Sequence, residues 1–167
     1  MNDQLTESDI KKLQEEIEYR KLVVRKDAIE AVKEARAQGD LSENFEYYAA
    51  KKDKNKNESR IRYLEKMIKT ARIISDESGE DEVGINNTVT LYFEEDDETE
   101  VYKIVTTIRG NSLDGRISNE SPLGKALLKH KVGDRVFVQA SQDYGYYVVI
   151  KAIEKTGETE TDKIRSF

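Results

Sequence analysis

The sequence predicts an α+β protein in two parts, an antiparallel helical hairpin followed by a small domain built on an antiparallel sheet with one short helix. Two long stretches of helical periodicity flank the pair Gly39-Asp40, and an acidic stretch, Ser75-Asp-Glu-Ser-Gly-Glu-Asp-Glu82, ends them. Beyond it the apolar spacing changes from about 3.6 to 2. These breaks divide the chain into a hairpin at 1–74, a linker at 75–83, a second domain at 84–155 and a polar tail at 156–167 expected to be poorly ordered.

The first helix is predicted from Thr6 to Ala37. Thr6 and Asp9 have the spacing of a capping box, and Ile10, Leu13, Ile17, Val24, Ala28, Val32 and Ala35 recur at steps close to those of a coiled-coil seam. Arg20 and Lys21 interrupt that seam. About 30 residues at 1.5 Å each give a stalk ~45 Å long. Gly39 stands where a left-handed helix terminus is expected.

The second helix is predicted from Ser42 to Ile74, with an apolar stripe of Ile61, Leu64, Ile68 and Ala71 and the i,i+4 pairs Glu58/Arg62 and Glu65/Lys69. Nothing apolar occurs between Lys51 and Arg60, which reads as a solvated, locally weak stretch. A short connection enforces antiparallel packing, so Tyr47 or Tyr48 and Ala50 should face Val32 and Ala35.

In the second domain, 87–93 and 100–106 read as paired strands around an acidic turn at Glu94 to Glu98, with later strands at 132–140 and 144–153. Ser121 is placed to cap a short helix that begins with Pro122 and carries Leu123, Ala126, Leu127 and Leu128 on its apolar side.

Composition excludes several classes of function. The chain has 167 residues, no cysteine and one histidine, so it has neither thiolate chemistry nor a disulfide framework, and His130 has no evident nucleophile to serve. No apolar run reaches the roughly 18 residues of a membrane span, and the N-terminus lacks a signal-peptide pattern, so a cytoplasmic protein is expected. Residues 1–74 carry a net charge of +2 and the remainder −8, so neither half is a broadly basic nucleic-acid surface.

The candidate site is the hairpin tip. Asp40 and Glu43 fit a capping box at the start of the second helix, and the same exposed oxygens suit a hard cation such as Mg²⁺. Two carboxylates are too few for a self-sufficient metal site, so a partner would have to supply the other ligands. Lys51, Lys52, Lys54 and Lys56 form a basic run behind the tip. It reads as a solvated face that a phosphate backbone reaching the tip would pass.

Two segments carry a family resemblance. Glu34-Ala-Arg-Ala-Gln-Gly-Asp-Leu-Ser-Glu-Asn-Phe-Glu-Tyr47 resembles the tip of the bacterial Gre transcript cleavage factors, and Ile117-Ser-Asn-Glu-Ser-Pro-Leu-Gly-Lys-Ala-Leu-Leu128 resembles the helix motif of their second domain. The resemblance implies an N-terminal coiled-coil hairpin and an FKBP-like second domain. It also implies a monomeric accessory factor that is not itself an enzyme and has no cofactor of its own. Its partner would be RNA polymerase, whose secondary channel the hairpin enters to stimulate the polymerase's own cleavage of backtracked RNA. Asp40 and Glu43 match the acids that share Mg²⁺ with the polymerase active site. Arg36 and Lys51 match basic positions and, with Lys52, are expected to contact the extruded RNA 3′ end. Ser121, Pro122 and Leu123 match the docking motif. Lys56 and Asn57 depart from the pattern, standing where the family usually has apolar residues. Three alternatives stay open: a channel-binding paralogue that inhibits instead of stimulating, a prolyl isomerase, and an adaptor whose acids are only caps.

Overall fold

The computed structural model describes residues 3–38, 44–159 and 162–166, and the chain divides into two compact units at Arg72/Ile73.

The first unit is the hairpin. A two-residue strand β1 (Gln4–Leu5) leads into α1 (Glu7–Tyr19), a π-helical turn (Arg20–Val24) and α2 (Arg25–Ala37); α3 (Phe45–Thr70) returns and ends at β2 (Arg72–Ile73). Thr6 Oγ1 accepts from Asp9 N–H (3.1 Å) and Asp9 Oδ2 from Thr6 N–H (2.9 Å), the predicted capping box. Arg72 N–H donates to Asp3 O at 2.9 Å and closes the open end. Leu5, Leu13, Ile61, Leu64 and Met67 form the apolar core of the half nearer the termini, and Ala35 is buried toward the other end.

The hairpin departs from the sequence reading in three ways. The first helix is interrupted where Arg20 and Lys21 break the seam, because the five-residue turn there inserts an extra residue into the helical register. Between Lys51 and Arg60 the chain is not simply solvated: Asn57 and Arg60 are buried, and Asn57 bonds Arg20 while Arg60 and Arg20 both donate to Glu16. Finally, Glu58 and Glu65 reach across the hairpin to Arg25 (2.8 Å) and Lys21 (3.4 Å). Arg25 is the bidentate partner and draws Glu58 away from a simple pair with Arg62.

The second unit is a five-stranded sheet in the order β5-β4-β3-β7-β6, made of β3 (Thr88–Phe93), β4 (Glu98–Val105), β5 (Arg116–Ser118), β6 (Arg135–Gln139) and β7 (Gly145–Glu154). Alternation on β3 and β6 buries Val89, Leu91, Val136 and Val138 beneath α4 (Pro122–Leu127), whose Leu127 completes the core with Val148 and Ile150. The sheet is mixed rather than purely antiparallel. After β4 the chain makes two short 3₁₀ turns and reverses at Gly115 (φ +72°), so β5 lies parallel to β4. Three residues are too short to announce themselves by alternation.

Both segments flanking the sheet are folded onto it. Along 75–83, expected as a linker, Val83 is core and the Lys155 ammonium donates to Ser78 Oγ, Gly79 O, Glu82 O and Asn87 Oδ1 within 3.0 Å. The tail, expected to be poorly ordered, packs through its described residues. Asp162 is 4% exposed, its carboxylate pairs with Lys103, its carbonyl accepts from Arg109, and Arg165 N–H donates to Ile108 O (2.8 Å). A polar composition concealed a tail anchored by one carboxylate.

Burial opposes ionisation of Asp162, but the hydrogen bonds from Lys103 and the Thr159 N–H outweigh it and hold the carboxyl below its ordinary value. The pair therefore contributes fully above the unfolded carboxyl pKa of about 3.9 and is lost as pH falls through the lower folded value. Asp162→Asn should lower stability by about 1–3 kcal/mol at neutral pH and flatten the acid limb of the stability curve. Denaturant melts from pH 7 downward and amide exchange across Thr156 to Arg165 measure both. Unchanged tail protection would show the pair to be incidental.

Candidate functional site

The described residues next to the connection of α2 and α3 form a cross-braced, electropositive end. Asn44 caps α3: its Oδ1 accepts from Tyr47 N–H at 3.0 Å, and its Nδ2 donates across the hairpin to Ala35 O at 2.6 Å. One side chain thus satisfies a donor at the start of α3 and an acceptor at the end of α2. Ala35 is buried and Val32, Tyr47 and Ala50 are half-buried, while Tyr48 is exposed. Phe45 is 86% exposed, a large apolar ring offered to solvent beside the connection.

Gly39, Asp40, Ser42 and Glu43 lie outside the described residues. The helix they were expected to open begins at Phe45 under the Asn44 cap. The N-cap position of that helix is held by Asn44. Sequence reasoning missed Asn44 because Asp40 and Glu43 satisfied the capping-box spacing first. Its signal was an Asn immediately before an unbroken helical run.

Arg36 lies with its guanidinium carbon 5.7 Å from the centre of the Tyr47 ring. A hydrogen bond from Arg36, aided by the charges of Lys51, Arg36 and Lys54, holds the Tyr47 phenol below its ordinary pKa. Three cations thus act on one point near the connection. Lys51 and Lys52 are both exposed on α3. Arg36 and Lys51, separate expectations in sequence, are brought to bear on the same tyrosine.

The second predicted locus is the start of α4. Ser121 Oγ accepts from Gly124 N–H (3.1 Å) and donates to Ser118 O (2.6 Å), and Pro122 occupies the first turn, exposed. Leu123 packs partly against the core, so its side chain is only partly available to a partner. A Cβ on Gly124 would stand 2.1 Å from Ser118 O, so this close approach of α4 to β5 requires glycine. His130 lies just beyond α4, and its Nδ1 meets Asp134 Oδ2 at 3.0 Å. A groove of about 520 Å³ is lined by Thr88, Lys103, Arg116, Thr156, Thr159 and Asp162, and the Lys103–Asp162 pair forms part of its wall. Among the described residues no group of three His, Cys, Asp or Glu is placed to hold a metal, and no helix is long and apolar enough to cross a membrane.

Two family models match the chain, "Transcription elongation factor, N-terminal" over residues 3–73 and "Transcription elongation factor, GreA/GreB, C-term" over residues 77–155. The chain belongs to the GreA/GreB family. The transcription elongation factor GreA of Bacillus licheniformis is 46% identical over 136 residues, covering 81% of this chain and 86% of that protein. GreA of Streptococcus pneumoniae is 42% identical over 153 residues, 91% of this chain and 95% of its own length. Among solved structures, the GreA factor homolog 1 (Gfh1) protein of Thermus thermophilus is 28% identical and superposes with a TM-score of 0.43, covering 92% of this chain and 99% of that one. In this GreA/GreB family member both stretches that suggested the resemblance fall inside the matched regions.

The charge cluster predicts a spectroscopic signature. Burial and neighbouring carboxylates push other tyrosines up, Tyr102 and Tyr144 to about 12, whereas cations hold Tyr47 down. Tyr47→Phe should remove the lowest-pH component of the tyrosinate absorbance titration, and Lys51→Gln should move that component upward. A titration unchanged by both substitutions would mean that no such field acts at this end of the hairpin.

Proposed function

We propose that the protein is a transcription elongation factor that passes its hairpin into the secondary channel of RNA polymerase and stimulates the polymerase's own cleavage of backtracked RNA. Family membership carries this reading, together with two acids in a connection where Asn44 already supplies the cap of α3. A narrow two-helix stalk with its large buried apolar side chains in one half suits a solvated passage. The GreA-type second domain, read as FKBP-like, would dock on the channel rim through the Ser121–Pro122–Leu123 start of α4, where Pro122 is exposed.

In this reading Asp40 and Glu43 hold Mg²⁺ jointly with ligands of the polymerase. The donor set fits a shared site, because two hard oxygens suit Mg²⁺ but leave most of its octahedron to others. The bound ion supplies charge stabilisation and an activated water for phosphodiester hydrolysis. The chain's own residues do the rest. Arg36, Lys51 and Lys52 offer cations to the phosphates of the extruded RNA, Asn44 holds the two helix ends together, and Tyr47 adds an aromatic face beside them. A factor that enters the channel only to inhibit would not need the Asp40 and Glu43 carboxylates, and their retention favours stimulation.

Asp40→Asn and Glu43→Gln should each abolish most stimulation of transcript cleavage while leaving polymerase binding nearly unchanged. The amides keep the size of the acids, so stability should fall by about a kcal/mol or less. Cleavage rates of backtracked complexes over a range of Mg²⁺, with binding by competition, give the comparison. Normal cleavage by both variants defeats the metal-sharing role, and parallel loss of binding and cleavage reassigns the acids to docking.

A folded Pro122→Ala, Leu123→Ser variant should compete poorly for polymerase while its hairpin keeps the parent's helicity. Competition equal to the parent's would remove α4 from the docking surface.

A further inference from the structure

Beyond the Asn44 bridge to Ala35 O at its end, the outer half of the hairpin has little to hold it in one register. From Arg25 to the connection and back to Lys56, Ala35 is the only buried apolar side chain among the described residues. An alanine-sized knob fills several neighbouring holes almost equally well, so it does not select between them. The ion pairs Arg25–Glu58 and Lys21–Glu65 are partly exposed and adapt to small displacements.

One layer is different. Asn57 is 3% exposed, its Nδ2 donates to the backbone carbonyl of Arg20 (3.2 Å), and its Oδ1 accepts from Arg20 Nη1 (3.1 Å). That carbonyl opens the π turn, where Arg25 N–H is its helical donor. Glu16 fixes the other side of the layer, accepting from Arg20 Nε at 2.7 Å and Arg60 Nε at 2.9 Å, so the Arg20 guanidinium is held toward Asn57. Burial opposes the charge of Glu16, but the bonds from Arg60 and Arg20 prevail and keep it ionised below the ordinary carboxylate range. Displacing α3 by one turn would bring Asp53 or Ile61 to the place of Asn57. The Asn57 amide would then leave both its partners, and an unpaired amide inside the hairpin is costly. A buried polar side chain with one satisfied position specifies register at some expense of stability.

We propose that Asn57, bonded to the π turn at Arg20, is a positioning residue that sets the register of α3 against α2 and thereby the location of the segment carrying Asp40 and Glu43. The consequence for cleavage rests on the function proposed above; the register itself does not.

The test uses the full chain with spin labels at exposed Asp27 on α2 and Glu46 on α3. The parent should give a single narrow distance distribution. Asn57→Leu and Asn57→Ala should each give a second population displaced by roughly 5 Å, one helical pitch. Unlabelled Asn57→Leu should melt no lower than the parent. Its maximal transcript cleavage at saturating protein should fall about tenfold or more, with the half-saturating concentration unchanged, because misplacement near reacting atoms acts on rate. Asn57→Ala separates loss of the two hydrogen bonds from any effect of added bulk. A single parent-like distribution in both variants overturns the proposal, as does slower cleavage without a change in distances. Altered distances with parent-level cleavage would leave register real and its positioning role refuted. If the parent itself stimulates no cleavage, the functional reading fails while the distance measurement still decides the register.

Discussion

Two helices alone bury only one stripe of each, and that limitation governs the hairpin. In a bundle every helix has several neighbours over which to spread its apolar positions; here each has one. The chain concentrates its large apolar side chains, Leu13, Ile61, Leu64 and Met67, in the half nearest the termini, where Leu5 also covers them. Farther out the cross-section narrows to alanine and half-buried tyrosine, and charged hydrogen bonds replace hydrophobic contact. A stalk built this way stays thin and highly solvated, and some of its apolar side chains, Leu22 and Phe45 among them, face solvent. The cost is that its outer half takes its alignment from polar contacts, which are directional but individually weak.

The second unit solves the opposite problem, covering a sheet with few residues to spare. One six-residue helix lies on the core, and its approach depends on the missing side chain at Gly124. The remaining cover comes from chain segments without regular structure, drawn in by single long cations. Lys103 holds the tail and Lys155 holds the segment that follows the hairpin. Thr88 and Thr156 also bond one another at 2.8 Å, so the start of β3 and the start of the tail are tied directly.

The features legible in sequence were those written within a few residues. Thr6 with Asp9 and Ser121 with Pro122 are local signals, and each stands where its spacing placed it. The strands around Glu94 to Glu98 were legible because runs rich in β-branched and aromatic residues, six and eight residues long, flank that acidic turn. What stayed hidden depends on partners far along the chain. Asn57 looks like a surface residue until Arg20, 37 positions earlier, is set beside it, and Asp162 looks like part of a loose tail until Lys103, 59 positions earlier, is known. At the candidate site the basic residues were legible singly, whereas their convergence on Tyr47 required the hairpin to be closed. The two acids were recognised from a motif, and spacing alone had pointed to capping.

The Lys155 clasp has a chemical corollary. An ammonium carries three protons, yet four oxygens stand within 3.0 Å of this one, so at least one proton is shared between acceptors. Such a cage suits a compact, rotatable charge, which a rigid planar guanidinium on a longer side chain does not reproduce, so arginine is no conservative replacement here. Acylation of the amine would cancel the charge and leave a single N–H for those oxygens. The acidic stretch at 75–82 would then keep its own repulsion with Lys131, paired to Asp81, as its remaining cation, so one exposed lysine is a chemical handle on how the segment leading into the sheet is held.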